Sequence, residues 1–125
     1  MFDHISFGVK DIDRAKRFYD AALKPLGFRL GYESADSIAY GRDRPQLWIS
    51  KSASPVPPDP DSGLHVCFRA DSRDAVDAFH AIALANGGTD NGPPGLRPQY
   101  TPTYYAAFVF DPDGYRIEAV TFAAE

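Results

Sequence analysis

Residues 2–9 alternate between apolar and polar, with Ile5, Phe7 and Val9 on one side and His4, Ser6 and Gly8 on the other. That period of two predicts a strand with one buried face. Asp11 then stands where an N-cap belongs, and Ile12, Ala15, Phe18, Tyr19, Ala22 and Leu26 recur at helical spacing. Pro25 and Gly27 close that helix. Short strands are predicted at residues 28–32, 37–40 and 46–50. A connector over residues 52–62 carries Pro55, Pro57, Pro58 and Pro60 and reads as an extended spacer.

After the connector the pattern restarts. Leu64, Val66 and Phe68 alternate with His65 and Cys67. Asp71 or Ser72 can cap a second helix with Ala75, Val76, Phe79, Ile82 and Ala83 as its apolar stripe, ending at Gly87 and Gly88. A long Gly/Pro loop through Thr103 is expected next, then a strand over 104–110, a turn at 111–114 and a last strand over 115–122. The halves superpose as text: His4 falls on His65, the helix at Asp11 on that at Asp71, and Trp48 on Glu118. The expectation is an α+β fold, β-α-β-β-β twice. Module one spans residues 1–51, the Pro-rich linker 52–62 and module two 63–125.

Ile5, Phe7, Leu64, Val66 and Phe68 are expected to face the helices, leaving His4, Ser6, His65 and Cys67 on the opposite face. Polar side chains in mid-strand point to a lined cavity rather than a second dry core. Composition narrows what such a cavity serves. The 125 residues suffice for one core, and the net charge of -4 shows no basic stripe, which argues against nucleic acid and anionic membrane. The single cysteine excludes an intrachain disulfide, and no run is long enough to span a bilayer. A cytoplasmic protein acting on a small molecule is expected.

His4, His65 and Glu118 fall at equivalent depths on strands related by the repeat. Two imidazoles and a carboxylate can form a facial triad that leaves positions open on a divalent Fe, Mn, Zn, Ni or Co ion. The plainer alternative is two hydrogen-bonded sheet histidines and a glutamate, since the three lie about 60 and about 50 residues apart. The coincidence of both histidines under the repeat brings the ion level with that alternative, and both stay open at this point. His80, on the second helix, is expected at solvent or the helix edge. Cys67 reads as a small buried residue rather than a nucleophile.

Asp3-His4-Ile5, Arg17-Phe18-Tyr19, Leu26-Gly27-Phe28, Leu64-His65-Val66 and Asp111-Pro112-Asp113-Gly114-Tyr115-Arg116-Ile117-Glu118 resemble the vicinal oxygen chelate superfamily. That superfamily includes glyoxalase I, extradiol dioxygenases, fosfomycin-resistance enzymes, methylmalonyl-CoA epimerase and bleomycin-resistance proteins. The resemblance implies two βαβββ modules forming a cupped, partly open barrel-like sheet with helices outside, and a metal site in the cup at His4, His65 and Glu118. Glyoxalase I has a glutamate, ligand and base, where Trp48 stands here. A typical glyoxalase I is therefore disfavoured, and Trp48 is expected to line the pocket. The loop from Asn91 to Thr103 resembles small bacterial members that carry histidines in place of Gln99 and Thr101.

Arg97 and Tyr100 on that loop are candidate rim residues, the arginine for an anionic substrate group. Tyr104 and Tyr105 are candidates too, although alternation sends only one of them into the cup. The leading expectation is a metal-dependent lyase, isomerase or dioxygenase acting on a small oxygen-chelating substrate, with no catalytic acid or base assigned. The alternative is a metal-free sequestering protein of the bleomycin-resistance type. A homodimer is expected, because open sheets leave edges and apolar surface to cover, and the family often pairs modules across two chains.

Overall fold

The structure is a computed structural model that describes residues 1–124. Its first module runs β1 (Ile5–Val9), α1 (Ile12–Ala22), a 3-10 turn (Lys24–Leu26), β2 (Arg29–Glu33), β3 (Ser37–Gly41) and β4 (Leu47–Lys51). Its second runs β5 (His65–Arg69), α2 (Arg73–Ala85), β6 (Thr89–Leu96), β7 (Tyr105–Phe110) and β8 (Arg116–Thr121). The strands form two four-stranded sheets, ordered β1-β4-β3-β2 and β5-β8-β7-β6, which do not close into a barrel. In each, the first strand pairs parallel with the last and the remaining pairs are antiparallel.

The helices start where the caps predict. Asp11 Oδ1 accepts from the Arg14 amide at 3.0 Å, and Ser72, not Asp71, caps α2 by accepting from the Ala75 amide at 3.1 Å. Buried Phe18, Tyr19, Val76 and Phe79 join Ile49, Phe68, Val109 and Ile117 in one core shared by both modules. Phe68 is buried and Phe7 and Val66 pack partly against that core, but Ile5 and Leu64 are 43% and 60% exposed, contrary to expectation. Ile5 opens β1 and Leu64 immediately precedes β5, and both line clefts between these two strands instead of the core.

The second correction concerns residues 89–96, expected as loop and found as strand β6. Its pairing with β7 slips between Asp90 and Gly92 and again between Gly92 and Gly95, so no simple alternation survives. Lying at the sheet edge, it can accommodate Pro93 and Pro94. His80 differs as well. It is only 9% exposed, and its Nε2 meets Asp90 Oδ1 at 2.9 Å, fastening α2 to β6.

The Asp-Pro-Asp-Gly turn locks the modules together. Asp111 Oδ1 accepts from the Asp113 and Tyr115 amides, both at 2.9 Å, and Asp111 Oδ2 accepts from the Tyr19 hydroxyl of α1 at 2.6 Å. Gly114 closes the turn at φ +91°, a conformation that disfavours a side chain. Arg14 of α1 reaches Asp113 at 2.8 Å, and the Tyr115 hydroxyl donates to the carbonyls of Val56 and Gly8 at 2.7 and 3.2 Å. This turn feeds β8 and thereby fixes Glu118 relative to module one. Among the described residues no helix is long and apolar enough to cross a membrane.

Candidate functional site

Register decides which side chains share a face. Cys67 pairs with Glu118 and Phe108 pairs with Glu118 across the second sheet. Alternation then adds His65 and Tyr104 to the same face. Tyr105 turns the other way, its hydroxyl donating to Asp77 of α2 at 2.6 Å while Arg73 lies over its ring. The choice between the two tyrosines is thus resolved in favour of Tyr104, and Tyr105 belongs to the helix side.

Glu118 is 1% exposed, and both its carboxylate oxygens are engaged. His65 Nε2 lies 3.0 Å from Oε1, and the Tyr104 hydroxyl donates a short hydrogen bond to Oε2. Burial and the neighbouring carboxylate both raise the Tyr104 pKa, so this hydroxyl stays a donor. Cys67 is exposed as a residue, yet desolvation of its thiol and the Glu118 charge push its pKa up to about 12. It is a thiol, not a thiolate.

The rest of the face is aromatic and cationic. Tyr100, 60% exposed, sets its ring 5.0 Å from that of Tyr104, and Phe122 approaches Tyr104 from another side at 5.4 Å. The Arg97 guanidinium lies 5.4 Å over the Phe108 ring and donates to the Pro93 carbonyl at 2.7 Å. Its charge therefore sits beside the strand pair that holds Glu118.

The first sheet presents the matching half. Ser6 pairs with Trp48 as Cys67 pairs with Glu118, so Trp48 stands to His4 as Glu118 stands to His65. Trp48 packs against Tyr32 at 5.3 Å and lines an open concavity with Asp3, His4, Ser6, Arg44 and Pro45. His4 Nδ1 lies 2.7 Å from Asp3 Oδ1, and Arg44 holds the other Asp3 oxygen at 3.3 Å. The His4 hydrogen bond, then the Arg44 charge, keep the Asp3 carboxyl below its usual range. With Nδ1 engaged by Asp3, Nε2 is the His4 nitrogen that remains for another partner. This Asp3–Arg44 support was not anticipated; an aspartate directly before the histidine was the available signal.

His65 Nε2 and Glu118 Oε1 suit a metal. Two donors on one ion, each at roughly 2.0–2.2 Å and near right angles, lie about 3 Å apart, close to the spacing of this pair. His4 is not with them: among the described residues no group of three or more His, Cys, Asp or Glu side chains is gathered closely enough to hold an ion. Two of the three expected donors meet within the chain.

A profile of the Glyoxalase/Bleomycin resistance protein/Dioxygenase superfamily matches residues 1–119. A glyoxalase/bleomycin resistance protein from Albidiferax ferrireducens T118 has a similar structure, with TM-score 0.86 and 35% identity, covering 97% of this chain and 98% of that one. The fosfomycin resistance protein FosX from Listeria monocytogenes shares the fold at TM-score 0.72 and 17% identity, over 99% and 94% of the two chains. The uncharacterized protein YqjT of Bacillus subtilis (strain 168) is 28% identical over 130 residues, 94% of this chain and 95% of that protein. With paired βαβββ modules, equivalent histidines on β5 and ahead of β1, and a match through residue 119, the chain belongs to the Glyoxalase/Bleomycin resistance protein/Dioxygenase superfamily.

Proposed function

We propose that this protein is a divalent-metal-dependent enzyme acting on a small substrate that chelates through oxygen, with His65 and Glu118 of one chain and His4 of a second as the ligands. The observation that carries the reading is the 3.0 Å approach of His65 Nε2 to Glu118 Oε1 on a carboxylate that is almost wholly buried. Burying a carboxylate is costly unless it is paired, and a cation is the strongest partner available. A bound divalent ion would act there as a Lewis acid toward a substrate oxygen.

The chain's own groups supply the remainder. Arg97 would attract an anionic substituent from the rim, Trp48 and Tyr32 would form an apolar wall, and Tyr100 would close the opposite side. Cys67, held as a neutral thiol, takes no nucleophilic part. Trp48 carries no carboxylate, so the site lacks the fourth ligand and base that a typical glyoxalase I requires.

A homodimer is supported by the apolar residues left exposed where β1 and β5 face each other across a cleft. Phe2 is 84% exposed, Leu64 60% and Ile5 43%. Exposed apolar clusters of this kind are surfaces that a second copy covers.

The test is metal analysis of protein purified without chelator, with calorimetric titration of Mn, Fe, Co, Ni and Zn. Stoichiometric binding that disappears in both His65→Ala and Glu118→Ala is expected. If no ion binds and none raises the melting temperature, the enzyme reading fails and the metal-free sequestering protein takes its place.

A further inference from the structure

The Tyr104 hydroxyl is committed to the one Glu118 oxygen that His65 leaves free. We propose that Tyr104 is a positioning residue: it occupies Glu118 Oε2 so that the carboxylate offers a single oxygen, Oε1, to an ion beside His65 Nε2. This rests on the metal-dependent reading above and adds to it the mode in which the carboxylate binds.

Three observations carry it. First, the hydrogen bond is made to Oε2 while His65 faces Oε1, so the two contacts divide the carboxylate between them. Second, the Tyr104 ring cannot swing freely. Tyr100 meets it edge-on at 5.0 Å with planes 64° apart, and Phe122 meets it at 5.4 Å with planes 83° apart. Edge-to-face neighbours on two sides hold the hydroxyl in place. Third, the Glu118 carboxylate is buried, so no bulk water stands ready to replace the tyrosine on Oε2.

The consequence is a count of coordination positions. A carboxylate free to rotate can bind through both oxygens and take two positions, one of which a chelating substrate needs. Capping Oε2 with a neutral donor keeps the glutamate to one. Hydrogen-bond partners of metal ligands commonly set ligand orientation in this way, and their removal typically lowers metal affinity about 10- to 100-fold. A substrate-contact role for Tyr104 is replaced by this one, since its hydroxyl points into the ligand set.

The experiment compares wild type, Tyr104→Phe and His65→Ala, each as the full chain. Phenylalanine keeps the ring between Tyr100 and Phe122 and removes only the oxygen; circular dichroism melting checks that the fold is kept. Zn affinity is measured by competition titration, and the binding mode by infrared spectroscopy of Zn-loaded protein carrying carboxylate-labelled glutamate. Tyr104→Phe should weaken Zn binding about 10- to 100-fold. It should also narrow the gap between the antisymmetric and symmetric stretches of the Zn-bound carboxylate, as one-oxygen binding gives way to two-oxygen binding. Unchanged affinity together with an unchanged gap would overturn the role of Tyr104 while leaving the metal reading intact. Absence of Zn binding in wild type would overturn both, and retention of full binding in His65→Ala would remove the ligand pair on which both depend.

Discussion

Cys67 shows how far a neighbour changes a side chain's chemistry. It pairs with Glu118 across β5 and β8, and burial of the thiol together with that carboxylate raises its pKa to about 12. Only the thiolate attacks electrophiles, and an ordinary cysteine ionises near 8.5. At pH 8 we therefore expect Cys67 to react with iodoacetamide at least about tenfold more slowly than free cysteine; mass spectrometry of timed aliquots reads the rate, and labelling as fast as free cysteine would contradict this placement of the thiol. Tyr105 offers the complementary case. Its hydroxyl serves α2 through Asp77, so Tyr105→Phe should cost at most about 1 kcal/mol in urea unfolding and leave metal titration unchanged. Neither tyrosine could be chosen by inspection of the sequence, because a two-residue period fixes that they oppose each other but not which faces the helix. The Tyr104–Glu118 bond was equally hidden, being a reach between non-paired positions of two strands.

At the scale of elements, the turn at residues 111–114 shows a sequence motif whose work is structural. Asp111 is 3% exposed, and desolvation lifts its pKa to about 6, opposed by the Tyr19 hydroxyl and the Tyr115 and Asp113 amides. Between the ordinary value of 3.8 and this value the folded chain holds a proton that the unfolded chain has released. The stabilisation from Asp111 is therefore complete below about pH 4 and is lost as pH rises through 6, a change on the order of 2–3 kcal/mol. Asp111→Asn should flatten that slope in urea titrations run across the window; an unaltered slope would assign it to other groups. Gly41 carries a sharper constraint. An added Cβ would fall 1.7 Å from the Arg44 carbonyl oxygen, in the turn that sets the register of Trp48. Gly41→Ala should cost about 1–3 kcal/mol or more, and an unchanged urea midpoint would refute that crowding. Most elements were legible because their alternation or helical spacing is intact. Strand β6 was not, since its glycines, prolines and two register slips erase the period of two, and only the repeat's demand for eight strands pointed to it.

At the scale of the whole molecule, the repeat singled out His65 and Glu118 together by matching them to His4 and Trp48, although the register that brings their side chains to 3.0 Å is a property of the sheet. The position of His4 was beyond such reasoning: it depends on how two modules pack, and on whether another chain is present. Within one chain His4 sits beside Trp48 and Asp3, apart from His65 and Glu118. If the site closes between copies, each complete site takes His4 from one chain and His65 with Glu118 from the other. His4→Ala and Glu118→Ala homodimers would then both lack metal, through loss of different ligands. Mixing them under conditions that exchange subunits would regenerate one intact site per heterodimer, with His4 from the Glu118→Ala chain and His65 and Glu118 from the His4→Ala chain. Random exchange makes half the dimers mixed, so metal binding should recover to about one quarter of the wild-type stoichiometry. Closure within a single chain predicts no recovery at all, because every site would still miss one ligand. The measurement is equilibrium dialysis against Co or Zn before and after exchange, with sedimentation confirming that dimers form. A result near zero with verified exchange would place all three ligands within one chain and require the modules to rearrange on binding the ion.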